Sequence, residues 1–337
     1  MQFKTLGSTG IKVSTLAFGA GPVSRLMTSN KCDLQRETLR RALDAGINWI
    51  DTAATYGNGQ SETGLGQALR ELGAADHVHL ATKVRLAEED FSDIEIKIRD
   101  SVAGSLERLG ISQITLLQLH NSITANRDDE PTSVTPKDVL GEVLKAFRKL
   151  QNEGVVLHFG LTAIGQPDSL RKVINSGQFT TIQVPYNILN PSAGESISTE
   201  FAEIDYGNVI KDCANQNMGV FAIRVFAGGA LADQSPSQHT LKTKYFPLDL
   251  YRRDQQRAKQ LDKLLGSKAD LRESTVRFVL SHEHITSAII GFGDASHVDE
   301  ALDFLTAGPL PTETIEELKI SNFRTLPSLT SGNCHDR

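Results

Sequence analysis

The 337-residue chain is short of cysteine, aromatic rings, excess positive charge and long apolar runs, and each shortage closes a class of protein. Its three cysteines, Cys32, Cys213 and Cys334, are far apart and odd in number. That spacing excludes a disulfide framework and a thiolate metal site, and it fits a reducing compartment. Aromatic residues make up 6% and tryptophan occurs once, which argues against a ring-lined pocket for a steroid or polyaromatic. No run approaches the 18 or so apolar residues of a membrane span. The N-terminal MQFKTLGSTG is too polar for a secretory signal, so a cytoplasmic setting is expected. With 35 Lys and Arg against 41 Asp and Glu, the net charge is −6, which speaks against nucleic-acid and membrane partners. No GxGxxG follows the first apolar run, and no His-x-His or carboxylate cluster stands where a metal-dependent hydrolase would need one.

What the chain does have is alternation. Short apolar, β-rich runs recur at 14–20, 47–53, 78–84, 114–120, 158–164, 181–187, 218–225 and 286–292. Most are apolar on both faces, as strands buried between a core and covering helices should be. The segments between them read as amphipathic helices with start and stop signals. Ser92 with Glu95 forms a capping box ahead of Ile94, Ile98, Val102, Leu106 and Leu109, with a stop at Gly110. Thr135 and Pro136 open the next helix, Ser61 another, and Ser296 with Asp299 the last. Eight strands alternating with eight helices select an α/β fold of the closed (β/α)8 TIM-barrel type over an open sheet.

Residues 1–323 read as this single barrel and 324–337 as a tail rich in Ser, Gly and Pro. Two features are additional. Residues 1–15 read as a β-hairpin with its turn near Ser8-Thr9-Gly10, placed to plug the bottom of the barrel. Residues 226–255, after strand seven, form a long irregular segment of the kind that serves as a lid or binding loop.

In a (β/α)8 barrel chemistry lies at the carboxyl ends of the strands. Strand two ends in Asp51, strand three in Lys83 and strand four in His120, with Tyr56 in the second βα loop. Each has a plain alternative: an ion pair for Asp51 and Lys83, a satisfied polar terminus for His120, turn chemistry for Tyr56. Converging on one rim, they form a coherent set. A phenol titrates at about pH 10 in water, too high for a proton donor at neutrality, and an adjacent ammonium lowers that value. Asp51 would keep Lys83 charged, and His120 would orient a substrate oxygen or relay a proton. Such a set protonates an alkoxide as it forms and calls for a hydride carrier beside it.

At this point the chain resembles the aldo-keto reductase family. LGSTGIKVSTLAFGA, IDTAATYGNGQSE, LATKV, SLERLGI, LLQLH and GVFAIRVFAGGAL follow the family pattern in order over roughly 310 residues. The resemblance implies Tyr56 as general acid/base, Lys83 and Asp51 as its tuning pair, and His120 as the substrate-orienting residue. It also implies an extended nicotinamide dinucleotide across the barrel mouth and a small carbonyl or hydroxyl substrate.

Cofactor residues carry over unevenly. Gly19 ends the first strand. Thr162-Ala163 stands where the family has Ser-Asn for the carboxamide, and Gln183 matches the family glutamine. Arg224 stands in the neighbourhood where many members place an aromatic ring on the nicotinamide. Phe226, Gly228, Gly229 and Leu231 match the loop along the pyrophosphate. Gly291, Gly293, Asp294, Ser296 and Glu300 match the adenosine end, where relatives hold the 2′-phosphate with Lys or Arg. Asp294 in the cation position would repel that phosphate and accept from a ribose diol, which tilts the reading from the family's NADP(H) toward NAD(H) or dual use. The alternative is a helix-start residue facing water. For substrate contact the candidates are Pro22 with Val23, Trp49, which also fits barrel core, and Asn121. A cofactor-binding regulatory or assembly subunit on the same fold is the rival to an enzyme.

Overall fold

A computed structural model describes residues 1–198, 201, 203–242, 246–266 and 270–324; the tail from 325 onward, with Cys334, lies outside the described residues. Among the described residues there are ten strands: β1 (Phe3–Thr5), β2 (Lys12–Ser14), β3 (Leu16–Gly19), β4 (Trp49–Asp51), β5 (His79–Val84), β6 (Ile114–Leu119), β7 (Val156–Thr162), β8 (Thr181–Pro185), β9 (Gly219–Ile223) and β10 (Ser287–Ile290). β3 to β10 pair in sequence order, all in parallel, and β10 closes on β3 through Ala288↔Leu16 and Ile290↔Phe18. The eight apolar runs are the eight barrel strands.

Strand alternation builds the barrel interior in layers. Ala17, Trp49, Ala81, Leu116 and Phe221 point inward together and pack against Leu6 and Val13 of the N-terminal hairpin. β1 and β2 pair antiparallel, and Gly10 takes the left-handed turn at φ 75°. Leu6 is fully buried, Ser8 donates its N–H to Asn217 O, and a Cβ on Gly219 would overlap the Leu6 side chain. The hairpin is therefore the floor of the barrel. Two residues further along each strand, the same alternation directs Asp51, Lys83, Gln118 and Gln183 inward, forming a polar layer above an apolar one.

Helix starts differ from three sequence expectations. Asp93, not Ser92, caps the helix Ile94–Leu109, accepting from Ile96 N at 3.3 Å. The helix Gln60–Leu72 begins after Gly59, and the Ser61 hydroxyl instead donates to Ala20 O at 2.8 Å. Asp294, not Ser296, caps Ala295–Thr306. In both Asp cases a carboxylate one residue before the helix outcompetes a nearby hydroxyl, because it also meets the positive end of the helix dipole. Thr135 does cap as read, with Asp138 reciprocating.

The segment after β9 is more regular than expected. It carries 3-10 turns at Ala227–Ala232, a short helix at Gln238–Lys242, and then the helix Leu248–Leu265. The Tyr251 hydroxyl donates to Gln234 O at 2.6 Å, tying the helix to the loop. Among the described residues no helix is long and apolar enough to cross a membrane.

Candidate active site

The polar layer at the top of the barrel is built around Asp51. Lys83 Nζ donates to Asp51 Oδ2 at 2.5 Å and to Thr52 O at 2.8 Å. The other carboxylate oxygen accepts from Gln183 Nε2 at 2.5 Å and Gln118 Nε2 at 3.2 Å. Lys83 is 1% exposed and Asp51 4%. Burial alone would strip the ammonium of its proton, but Asp51 and Tyr56 outweigh it and the Lys83 pKa is raised. Gln118 was missed in the sequence, although a polar residue in phase with Asp51 inside an apolar strand was its signal.

The third Lys83 contact is to Tyr56 Oη, at 3.3 Å. Tyr56 hangs from the β4 loop, its N–H bonded to Ala53 O, and its ring faces His120 edge-on with centroids 5.8 Å apart. A Cβ on Gly21 would sit 3.7 Å from this ring, in ordinary van der Waals contact, so Gly21 packs beside the phenol. His120 Nδ1 is buried without a partner among the described residues. Burial, with the charges of Lys83 and Arg85, pushes His120 well below 6.5 and keeps the ring neutral. The structure thus brings Asp51, Tyr56, Lys83 and His120 onto one rim.

They open onto a cleft of about 1660 Å³ across the barrel mouth. Gly19, Pro22, Val23, Thr162, Gln183, Arg224, Phe226, Gly228, Gly229, Gly291, Gly293 and Glu300 line it. Other sequence candidates fall elsewhere. Trp49 belongs to the apolar layer on the barrel floor, fully buried against Phe221 at 4.8 Å between centroids. Asn121 is also fully buried and braces loops, accepting from Leu86 N and donating to Leu86 O and Thr132 O. Leu231 is core. Asp294 and Ser296 stand behind the wall at a helix start, Asp294 accepting from the N–H groups of Ser296 and His297.

The cleft's acceptors and glycines fit a dinucleotide. Thr162 Oγ1 donates to Leu119 O at 3.0 Å, and Gln183 spends its amide N–H on Asp51. Both therefore present acceptor oxygens, matched to a carboxamide NH2. Gly228 and Gly229 sit at φ 73° and 108°, which lets the main chain approach a pyrophosphate closely, while the Gly229 N–H is already donated to Phe226 O at 2.8 Å. At the adenosine end Arg272 pairs with Glu300 at 2.6 Å, and His297 Nδ1 accepts from Gly293 N. Arg272 and His297 were not read from the sequence, because their place on the cleft depends on how the helices Leu271–Ser281 and Ala295–Thr306 pack. Arg85, two residues past Lys83 in the same alternation, was legible and was passed over.

A closed parallel barrel with this rim defines a barrel-mouth oxidoreductase architecture. The chain belongs to the aldo/keto reductase family, whose model matches residues 15–322. It is similar to an L-galactose dehydrogenase of Arabidopsis thaliana, 25% identical over 95% of this chain and 93% of the relative. It is also similar to a probable voltage-gated potassium channel subunit beta of the same plant, 26% identical over 94% of each chain. The solved holo form of aldo-keto reductase AKR11C1 from Bacillus halodurans has a TM-score of 0.72, 22% identity, and coverage of 95% of this chain and 96% of that one. Family membership supports NAD(P)-linked carbonyl oxidoreduction.

Proposed function

We propose that the protein interconverts a carbonyl compound and the corresponding alcohol, with Tyr56 as general acid/base. The observation that carries this reading is the Lys83 ammonium lying 3.3 Å from the Tyr56 hydroxyl while anchored to Asp51. A bound nicotinamide supplies or accepts the hydride at the carbonyl carbon. Tyr56 gives its proton to the carbonyl oxygen as charge develops there, and Lys83 meets the resulting phenolate with a charge-assisted hydrogen bond. Neutral His120 orients the oxygen through its ring N–H without competing as an acid. In the reverse direction the phenolate removes the hydroxyl proton. Asp51, held by two glutamines, keeps Lys83 charged.

NAD(H), or use of both dinucleotides, is the cofactor reading supported by the adenosine end. Asp294 occupies the N-terminus of Ala295–Thr306, the place where helix N–H groups would otherwise receive a phosphate. Glu300 neutralises Arg272 and can accept from a ribose diol.

Similarity to a potassium channel beta subunit gives the second reading, a dinucleotide-binding subunit with little turnover. One experiment separates the two. Tyr56→Phe should lower kcat by about 100-fold or more while leaving the dinucleotide Kd unchanged. Tight dinucleotide binding with no turnover across aldehydes, sugars and alcohols would establish the subunit instead.

A further inference from the structure

The charge around the catalytic residues opposes the charge of the whole chain. The protein carries a net −6, yet the cleft onto which Tyr56 and His120 open is lined by Arg85 and Arg224, with a His239 ring kept neutral by burial beside them. Facing them is Glu130, since Asp51 is already engaged by Lys83.

Arg224 is the more informative of the two arginines. It follows β9 with φ 55°, a left-handed backbone that strains a non-glycine residue and persists only where the surrounding structure holds it. Its guanidinium carbon stands 3.5 Å from the centre of the Phe246 ring. The cation feels Tyr206 and Asp254 through space, and among the described residues its fork makes no hydrogen bond or ion pair. Stacking occupies the guanidinium face and leaves the edge, with its row of N–H donors, open to a planar anion. Arg85 donates to His120 O at 3.1 Å, fixing a second cation beside the catalytic imidazole. His239, on the short helix Gln238–Lys242, feels both arginines.

We propose that the carbonyl substrate carries a carboxylate, as an oxo acid or acid-aldehyde (a hydroxy acid in reverse), received by the Arg224 fork with Arg85 as the second cation of the wall. This rests on the oxidoreductase reading above. The carboxylate takes no part in bond changes: the carbonyl carbon gains the hydride, its oxygen gains the Tyr56 proton, and the reduced nicotinamide is oxidised. Arg224 Nη1 also lies 3.8 Å from where a Cβ on Gly228 would stand, so a dinucleotide phosphate is the competing ligand for this fork.

The test uses the full chain with saturating dinucleotide and a series of ω-carboxyaldehydes of two to five carbons, each beside its methyl ester. The acid should be preferred in kcat/KM by about tenfold or more for at least one length, the size of one charge-assisted hydrogen bond pair. Arg224→Met should lower kcat/KM for the acid by at least about tenfold more than for its ester and weaken the dinucleotide Kd by less than that, and Arg224→Lys should retain part of the acid preference. Equal turnover of acid and ester by the unaltered protein would overturn the carboxylate assignment and leave the oxidoreductase reading standing. A dinucleotide Kd weakened in Arg224→Met as much as the acid kcat/KM would assign the fork to the cofactor and also overturn it. No turnover of either partner at any length, with dinucleotide bound, would overturn the carboxylate assignment, and the oxidoreductase reading would fall with it only when sugars and alcohols also fail to turn over.

Discussion

A buried imidazole that stays neutral has a thermodynamic signature, and His120 supplies it. In the native state burial and the charges of Lys83 and Arg85 hold its pKa well below 6.5, whereas the unfolded chain takes up that proton at the ordinary value. As pH falls below about 6.5 the unfolded state binds more protons than the native one, so stability is lost on acidification until the folded value is reached. His79, His158, His239 and His282 are displaced in the same direction by burial and add to the slope. Denaturant unfolding of the wild type should show stability falling from pH 7 to pH 5, and His120→Gln should flatten part of that fall. A slope unchanged in the variant would mean that the native ring takes up its proton as readily as in the unfolded chain, and the orienting role of a neutral His120 would go with it. Asp51, Tyr56, Lys83 and His120 were legible because each ends a strand or opens a loop on one rim. Gln118 and Arg224 were harder: a buried glutamine reads as strand interior, and the stacking of Arg224 depends on Phe246, 22 residues away in an irregular segment.

At the scale of elements, the hairpin floor is the part whose loss is easiest to predict. Leu6, Val13, Trp49, Ala81, Leu116 and Phe221 form one buried cluster distinct from the larger core outside the barrel. Its location under the polar layer means that removing volume there should cost stability before it costs chemistry. Leu6→Ala should destabilise by about 2–5 kcal/mol, the range for an aliphatic side chain truncated in a packed core. Its kcat at 25 °C should stay within about twofold of the wild type. A large kcat loss without loss of stability would show that the floor positions the rim directly. The same elements show what a single sequence can and cannot carry. Strand existence was plain, since both faces of each run are apolar and the spacing repeats. Helix starts were not, because hydroxyls and carboxylates within two residues compete for the same N–H groups and the sequence offers both. The regular helix from Leu248 was obscured by the polar composition of Leu248–Leu265, whose buried side includes Tyr251, Asp254 and Arg257 rather than a clean apolar stripe.

For the whole molecule, the cleft that joins the β4, β9 and β10 loops makes dinucleotide binding a property of the folded barrel and of nothing in the unfolded chain. Binding must therefore raise the unfolding free energy by mass action, by about 2.7 kcal/mol at a free concentration 100 times Kd. For a barrel of this size that is roughly a 5 °C rise in Tm. The comparison of the two dinucleotides is then a direct reading of the adenosine end. Asp294 fills the helix N-terminus behind the cleft and Glu300 pairs with Arg272, so an added 2′-phosphate finds His297 and a half-neutralised arginine rather than an open cationic pocket. Each tenfold difference in Kd appears as about 1.4 kcal/mol at equal saturating concentration. Melting with NAD+ and NADP+ at the same concentration, paired with kcat/KM for the reduced forms, should give NAD+ an equal or larger rise and NADPH no large advantage. Glu300→Gln, which leaves Arg272 with only its longer contact to Asp270 at 3.7 Å, should move both readouts toward the phosphorylated dinucleotide. A hundredfold NADPH preference in the wild type, matched by a larger NADP+ melting shift, would instead require that Arg272 leave Glu300 for the phosphate, making that ion pair a latch opened by the cofactor.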